Sequence, residues 1–285
     1  MINYKSEEDL EIMRVACKIT GDTLKLLEKH VNPGISTLEL DKIAFDFIKS
    51  QGAKPSFKNY EGFPATICAS INEEIVHGIP SKDRILKEGD IISLDVGACY
   101  KGFHGDAART FPVGKITPQK KRLIKVTEQS FFEGIKDIKA GCHIGDISSK
   151  IQNYVEKKGY SIVRELVGHG VGHHLHEDPD VPNYGRFGAG LKLNANATIA
   201  IEPMVNMGER NITFSKNGWT CCTLDGLPAA HYENTILITE NGVEILTLVR
   251  LGYLERNVYK PTDDELKILS GIFNCNISDI DNTKE

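Results

Sequence analysis

The sequence predicts one α+β domain built from two pseudo-equivalent halves, each with two helices followed by apolar strands. Three observations indicate this fold class. Capping residues mark helices in both halves, one pattern recurs after 107 residues, and no low-complexity linker divides the chain. We expect residues 1–247 to form this domain and residues 248–285 to form a C-terminal tail, with a helix at about 262–273.

Two helices are predicted before the first strands. Ser6 stands three residues before Asp9, the spacing of a helix N-cap, and apolar residues then recur at helical intervals. Ser36 and Glu39 form a second capping box, and Gly52 ends the helix that follows. The local signals therefore define two amphipathic helices.

The same order of elements recurs 107 residues later. Gly34 and Gly52 bracket the second helix, and Gly141 and Gly159 bracket its counterpart. The helix before that counterpart begins at Thr117-Pro118, a favourable N-cap and first-turn pair. The repeat predicts two halves facing one central site.

Acidic residues stand where strands should be apolar. The repeat aligns two apolar strands, of which one is predicted to end at Asp95 and the other at Glu202. Asp106 follows a glycine-rich turn that can fold the chain back toward Asp95, and Glu233 opens another apolar run. Because burial of an unpaired carboxylate is costly, these four acids imply a shared cationic partner.

The histidines divide into two groups. His169 lies between glycines in Gly168–Gly172, and His176 follows seven residues later. His173 and His174 are adjacent, so at most one of them is expected to face the site. An oxygen-rich site with one imidazole suits a pair of borderline divalent ions, so hydrolysis is the expected reaction class. Surface or hydrogen-bonded structural roles are predicted for His30, His104, His143 and His231.

Composition and motifs exclude several classes of function. A net charge of −5, without clustered Lys and Arg, argues against nucleic acid as a direct ligand. The sequence shows no secretory signal and no long apolar run, which predicts a cytoplasmic protein without a membrane partner, and seven cysteines without a Cys-x-x-Cys pair predict reduced thiols. Motifs of zincins, serine hydrolases and phosphate-binding loops are missing from the sequence.

Seven segments together resemble the type I methionine aminopeptidases, over roughly residues 5 to 247. The segments are Ile67–Pro80, Leu86–Asp95, Gly102–Phe111, Gly168–Gly172, His176–Pro179, Ile201–Met204 and Glu233–Thr235. The resemblance implies the short, bacterial-style form with the pita-bread (creatinase-like) fold. It also implies removal of the initiator methionine from nascent proteins, with a preference for a small second residue.

The resemblance implies a dinuclear metal site in which Asp95 chelates one ion, while Asp106 and Glu233 bridge both. His169 and Glu202 would complete the shell of the second ion. The metal is left open among cobalt, manganese, iron, zinc and nickel, because such ligands accept several divalent ions.

The resemblance further implies that His77 and His176 hydrogen-bond the scissile amide and that Glu202 transfers a proton. The methionine pocket would be lined by Tyr60, Phe63, Cys68 and Trp219. Two departures from the family pattern, Leu175 and Gly97, bear on pocket shape and hydrogen bonding rather than on the metal ligands.

Two alternatives share this fold. An X-Pro dipeptidase usually carries a sizeable domain ahead of its catalytic half, whereas only 76 residues precede His77 here. A metal-free peptide-binding protein characteristically lacks several of the acids. The interpretation we favour is a monomeric aminopeptidase acting on nascent N-termini, for which a ribosome contact is a reasonable hypothesis.

Overall fold

A computed structural model describes residues 2–248, so the predicted tail helix and Cys275 lie outside the described residues. The α-helices within that part are α1 (Glu7–Glu28), α2 (Thr37–Ser50), α3 (Pro118–Ile135) and α4 (Ile144–Lys157). Among the same residues no helix has the length and apolar character that crossing a bilayer requires. The six described cysteines are free thiols, as predicted.

The predicted helix starts are confirmed by their capping bonds. Ser6 and Ser36 each accept a hydrogen bond at 3.2 Å from the backbone N–H three residues later, and Thr117 accepts one at 3.3 Å. These bonds satisfy N–H groups that have no partner inside a helix. Local sequence therefore sets where the helices begin.

Fifteen strands lie among the described residues. The first-half strands are β1 (Lys54–Pro55), β2 (Ile67–Ile71), β3 (Glu74–Val76), β4 (Ile91–Tyr100) and β5 (Phe103–Pro112). The second-half strands are β6 (Ser161–Ile162), β7 (Gly168–Gly170), β8 (Glu177–Val181), β9 (Thr198–Ile201), β10 (Met204–Asn206), β11 (Ile212–Phe214), β12 (Cys221–Thr223), β13 (Ala229–His231), β14 (Asn234–Ile238) and β15 (Val243–Ile245).

The four α-helices are divided between the two halves of the chain. They come as two pairs, α1 with α2 and α3 with α4, each ahead of its own strands.

The first-half sheet is centred on β4. This strand pairs along its whole length with β5, and its other edge pairs with β2 and then β1, all antiparallel. The expectation that Asp95 ends its strand was wrong, since β4 continues to Tyr100. The chain reverses instead at Lys101 and Gly102, whose positive φ angles of 48° and 87° form the hairpin turn.

The second-half sheet repeats this arrangement in the order β15-β14-β9-β7-β8. Ser93 of β4 pairs with Ser70 and Thr110, and Ala200, its counterpart in the repeat, pairs with His169 and Thr235. The register therefore supports the two pseudo-equivalent halves that the sequence predicts.

Each half has its own hydrophobic core. In the first half α1 and α2 pack against β2, β4 and β5, and in the second half α3 and α4 pack beside β9 and β14. The halves meet where Ala108 and Glu233 exchange backbone hydrogen bonds of 2.9 and 3.3 Å. This junction brings acids from both halves to one place.

Candidate metal centre

The β4–β5 hairpin delivers the first two acids. Asp95 pairs with Ala108, and Gly97 pairs with Asp106, so the two aspartates are diagonal neighbours on one face of the hairpin. The prediction that the chain folds back and brings Asp106 beside Asp95 is confirmed, but the turn lies at Lys101 and Gly102, and Phe103–Gly105 already belong to β5.

Strands of the second half deliver the other three residues. Glu202 directly follows β9, and Glu233 directly precedes β14, its antiparallel neighbour. His169 lies in β7, on the other edge of β9, opposite Ala200. The side-chain amide of Asn183 donates to the Glu202 carbonyl at 2.9 Å, which holds the chain just beyond β9.

The His169 ring presents Nε2 to the acids. Its Nδ1 lies 2.8 Å from the Gly170 carbonyl oxygen, which can only accept, so Nδ1 carries the proton of the neutral ring. Nε2 then has a free lone pair and lies 3.8 Å from Asp106 Oδ2 and 3.8 Å from Glu202 Oε1. Burial lowers the pKa of His169 to about 3, which keeps the imidazole neutral.

The four carboxyl groups are only partly compensated among the described residues: Arg109 favours the charged form of Glu233, and backbone N–H groups favour those of Asp95 and Asp106. Burial raises the pKa of Asp106 to about 7, and burial together with neighbouring acids raises the pKa values of Asp95, Glu202 and Glu233. Buried oxygens of three of them, Asp95 Oδ1, Asp106 Oδ1 and Glu233 Oε1, have no hydrogen-bond partner. A bound cation would offset the charge of such a set.

The donor set fits divalent ions. Two groups of three side chains, Asp95/His231/Glu233 and Asp106/His169/Glu233, each place their ligand atoms within 4.8 Å of one another. Glu233 belongs to both groups, Asp106 to one of them and Glu202 to neither. Carboxylate oxygen with imidazole nitrogen suits borderline divalent metals.

The prediction for His231 was wrong. Its side chain is neither at the surface nor hydrogen-bonded: it is 2 % exposed, and Nδ1 and Nε2 both lack a hydrogen-bond partner among the described residues. It stands two residues before Glu233, and alternation along an extended chain was the available signal. His30 and His104 are hydrogen-bonded, to Leu26 and Ser56 respectively, as predicted.

A cavity of about 560 Å³ adjoins the acids. Its lining includes all eleven residues that the sequence analysis assigned to the site: Tyr60, Phe63, Cys68, His77, Asp95, Asp106, His169, His176, Glu202, Trp219 and Glu233. One wall is apolar, with the Phe63 and Trp219 rings edge to face at a centroid distance of 5.2 Å. Sequence reasoning missed Phe57, Val76, Leu166 and Met204, which also line the cavity.

Leu175 and Gly97, the two departures from the family pattern, both lie next to Phe57. Leu175 is buried in a cluster with Phe57 and Phe63. A Cβ atom on Gly97 would lie 2.7 Å from Phe57 Cε1 and 2.7 Å from Ser56 Cβ. Phe57 therefore occupies the space that a larger residue at position 97 would need.

Two further histidines reach the cavity as neutral rings. His77 has a left-handed backbone conformation with φ of 60°, and burial lowers its pKa to about 4. The His176 ring packs edge to face on His169 with centroids 4.2 Å apart, and burial lowers its pKa also. His173 and His174 are exposed and do not line the cavity.

Comparisons with known proteins identify the family of this chain. Residues 11–240 match the family described as metallopeptidase family M24. A protein of Clostridium acetobutylicum named methionine aminopeptidase is 56 % identical over 248 residues, covering 87 % of this chain and 99 % of the relative. The Bacillus subtilis protein named methionine aminopeptidase 1 is 53 % identical over 249 residues, covering 87 % of this chain and 100 % of the relative.

Solved structures show the same fold. The crystal structure of a Thermotoga maritima methionine aminopeptidase superposes with a TM-score of 0.86 at 45 % identity, covering 87 % of this chain and 100 % of that one. A prolidase from Pyrococcus furiosus has a TM-score of 0.72 at 24 % identity, covering 87 % of this chain and 66 % of that one. The second likeness concerns the fold alone.

Proposed function

This chain belongs to metallopeptidase family M24, among its methionine aminopeptidases, and on that basis we propose that it removes the initiator methionine from nascent proteins. The observation that carries the proposal is a single cavity in which four acids, three of them with an unpartnered buried oxygen, adjoin an apolar, aromatic wall. The acids suit metal-dependent hydrolysis, and the wall suits an unbranched thioether side chain.

We assign two divalent ions to the acids. Asp95 would bind one ion, and His169 and Glu202 would bind the other. Asp106 and Glu233 would bind both ions. When bound, such ions polarise a carbonyl and lower the pKa of a water molecule. Cobalt, manganese, iron, zinc and nickel all remain compatible with these ligands.

The side chains around the ions act on the peptide. A neutral His77 or His176 donates an N–H to the scissile amide and to the oxyanion of its tetrahedral intermediate. Glu202, whose pKa burial raises, takes a proton from the attacking water and returns it to the leaving amine. Each of these groups lines the same cavity.

The methionine side chain would occupy the pocket formed by Tyr60, Phe63, Cys68 and Trp219. Aromatic edges and a buried thiol offer the polarisable contacts that a thioether prefers. The same proposal includes a preference for substrates with a small second residue. It also describes the enzyme as a cytoplasmic monomer that contacts the ribosome and binds neither nucleic acid nor membrane.

The test is release of free methionine from Met-Ala-Ser and Met-Lys-Ser peptides. The metal-free protein is assayed alone and after addition of each of the five metals, with an Xaa-Pro dipeptide as control substrate. Glu202→Gln removes the proton-transferring carboxylate, and Glu11→Gln, on an exposed position of α1, is the matched control.

We expect metal-dependent cleavage of Met-Ala-Ser alone, lost in Glu202→Gln and retained in Glu11→Gln. Cleavage of the Xaa-Pro dipeptide alone would favour a dipeptidase. Absence of turnover with every metal would overturn the proposal.

A further inference from the structure

His231 is a buried polar group without a partner in the part of the chain that the structure describes. It ends β13, its side chain is 2 % exposed, and neither ring nitrogen has a hydrogen bond. Burying an unsatisfied imidazole is costly, so native structures rarely retain one without a reason.

The distances around His231 match those around His169. His231 Nε2 lies 3.6 Å from Glu202 Oε2 and 3.8 Å from Glu233 Oε2, beyond hydrogen-bond range. Each oxygen of Glu202 therefore faces one imidazole, because His169 Nε2 lies 3.8 Å from Oε1. Atoms that bind one ion at about 2.0–2.2 Å stand roughly 3–4 Å apart, which the 3.8 Å between His231 Nε2 and Glu233 Oε2 fits.

The repeat makes His231 the counterpart of Asp106. Gly97 and Met204 correspond in the 107-residue repeat, and they pair with Asp106 and His231 respectively. The two halves thus place an acid and a histidine at equivalent register positions facing one centre.

A threonine side chain hydrogen-bonds to the backbone of Asp106, and another does the same for His231. Thr235 Oγ1 accepts from the Asp106 N–H at 3.0 Å and donates to the Asp106 carbonyl at 2.9 Å. Thr110 Oγ1 accepts from the His231 N–H at 2.9 Å and donates to the His231 carbonyl at 2.9 Å. The same pair of threonine hydrogen bonds therefore positions the backbones of Asp106 and His231.

We propose that His231 is a sixth ligand of the metal centre, supplying an imidazole to the ion held by Asp95 and Glu233. The ligand atoms of these three residues lie within 4.8 Å of one another. The proposal rests on the metal centre of the proposed function. A nitrogen ligand at this ion favours borderline metals such as zinc and cobalt over harder ions.

The test counts metal-bound imidazoles by NMR of ¹⁵N-histidine-labelled full-length chain, titrated with zinc. The His231→Gln variant identifies the His231 signals and loses the ligand, and His30→Gln, beyond the end of α1, is the matched control. Chelator competition measures the Kd of each ion.

We expect a His231 ring nitrogen to shift on zinc binding, as one of His169 does. In His231→Gln the Kd of one ion should rise at least about tenfold. Replacing a residue that only hydrogen-bonds a metal ligand typically weakens metal binding by about 10- to 100-fold, and loss of a ligand should cost no less. His231→Asp, which restores a carboxylate, should retain two ions but favour manganese over zinc relative to wild type. His30→Gln should behave as wild type.

A His231 signal that does not shift when both ions are bound would overturn the proposal, and the wild-type titration decides this even if a variant fails to fold. Unchanged Kd values in His231→Gln would overturn it too. Neither readout uses methionine release, so failure of the proposed activity is distinguishable from failure of this ligand assignment.

Discussion

The Tyr60 hydroxyl lies 3.0 Å from Nδ1 of His176, and the two rings meet edge to face with centroids 5.1 Å apart. If the phenol donates this bond, the neutral imidazole carries its proton on Nε2. Nε2–H is then the donor available to a substrate. Tyr60 thus orients a group that the proposed mechanism uses.

Tyr60→Phe should lower kcat/KM for Met-Ala-Ser by about 2- to 10-fold. The variant keeps the ring but removes a neutral hydrogen bond, whose net worth is about 0.5–1.5 kcal/mol. Steady-state kinetics measure the effect. Tyr100→Phe, at the hairpin end of β4, is the control. Wild-type kinetics in Tyr60→Phe would show that His176 is oriented without the phenol.

Glu233→Gln should weaken metal binding while stabilising the metal-free protein. Burial and the nearby acids Asp106, Asp95 and Glu202 raise the pKa of Glu233, so an isosteric amide relieves repulsion. Calorimetry should give an equal or higher metal-free Tm and a smaller increase on adding cobalt. If cobalt raised the Tm of Glu233→Gln as much as that of wild type, the assignment of Glu233 as a ligand of both ions would be contradicted.

Gly97→Thr should destabilise the protein by about 1–3 kcal/mol, because the new side chain overlaps Phe57 and Ser56. Phe57→Ala opens the same space. The double variant should lose less stability than the two single variants combined, by at least about 0.5 kcal/mol. Urea unfolding measures all three. Strict additivity would show that Phe57 does not exclude the larger residue.

Lys5→Met should cost about 3–5 kcal/mol, because it leaves a buried Glu177 carboxylate without its cation. Lys5 Nζ lies 2.9 Å from Glu177 Oε2, with side chains 2 % and 6 % exposed. Adding Glu177→Gln should recover part of the loss in urea unfolding. If the double variant is no more stable than Lys5→Met, packing of the lysine stem is the dominant contribution.

His77 should make the metal-free protein less stable as the pH falls from 6.5 to 4. Burial lowers its pKa from 6.5 to about 4, so the unfolded chain binds a proton first. The stabilisation is complete above pH 6.5 and lost on acidification, on the order of 1–3 kcal/mol after allowance for a half-buried ring.

His77→Asn should reduce that loss, and asparagine tolerates the left-handed backbone at this position. Urea unfolding at several pH values gives the comparison, with His30→Asn as the control. The difference between the variant and wild-type profiles separates His77 from the buried acids, whose pKa values burial raises. Identical pH profiles would contradict the prediction.

Local signals explain why the helices could be predicted from sequence. Ser6, Ser36 and Thr117 cap helices through bonds to residues three positions away. The hairpin was also predictable, but the position of Asp95 within it was not. The length of β4 depends on pairing with β5 as far as Tyr100, which no feature near Asp95 reveals.

The sequence by itself determined the helix starts, the repeat and the identities of the acids and His169, because each depends on residue type and local spacing. Only the tertiary structure decided that Phe57 fills the space at Gly97 and that His231 faces Glu202 and Glu233. Both depend on contacts between segments far apart in the chain. Burial and strand register arise from such contacts, so neither can be read from neighbouring residues.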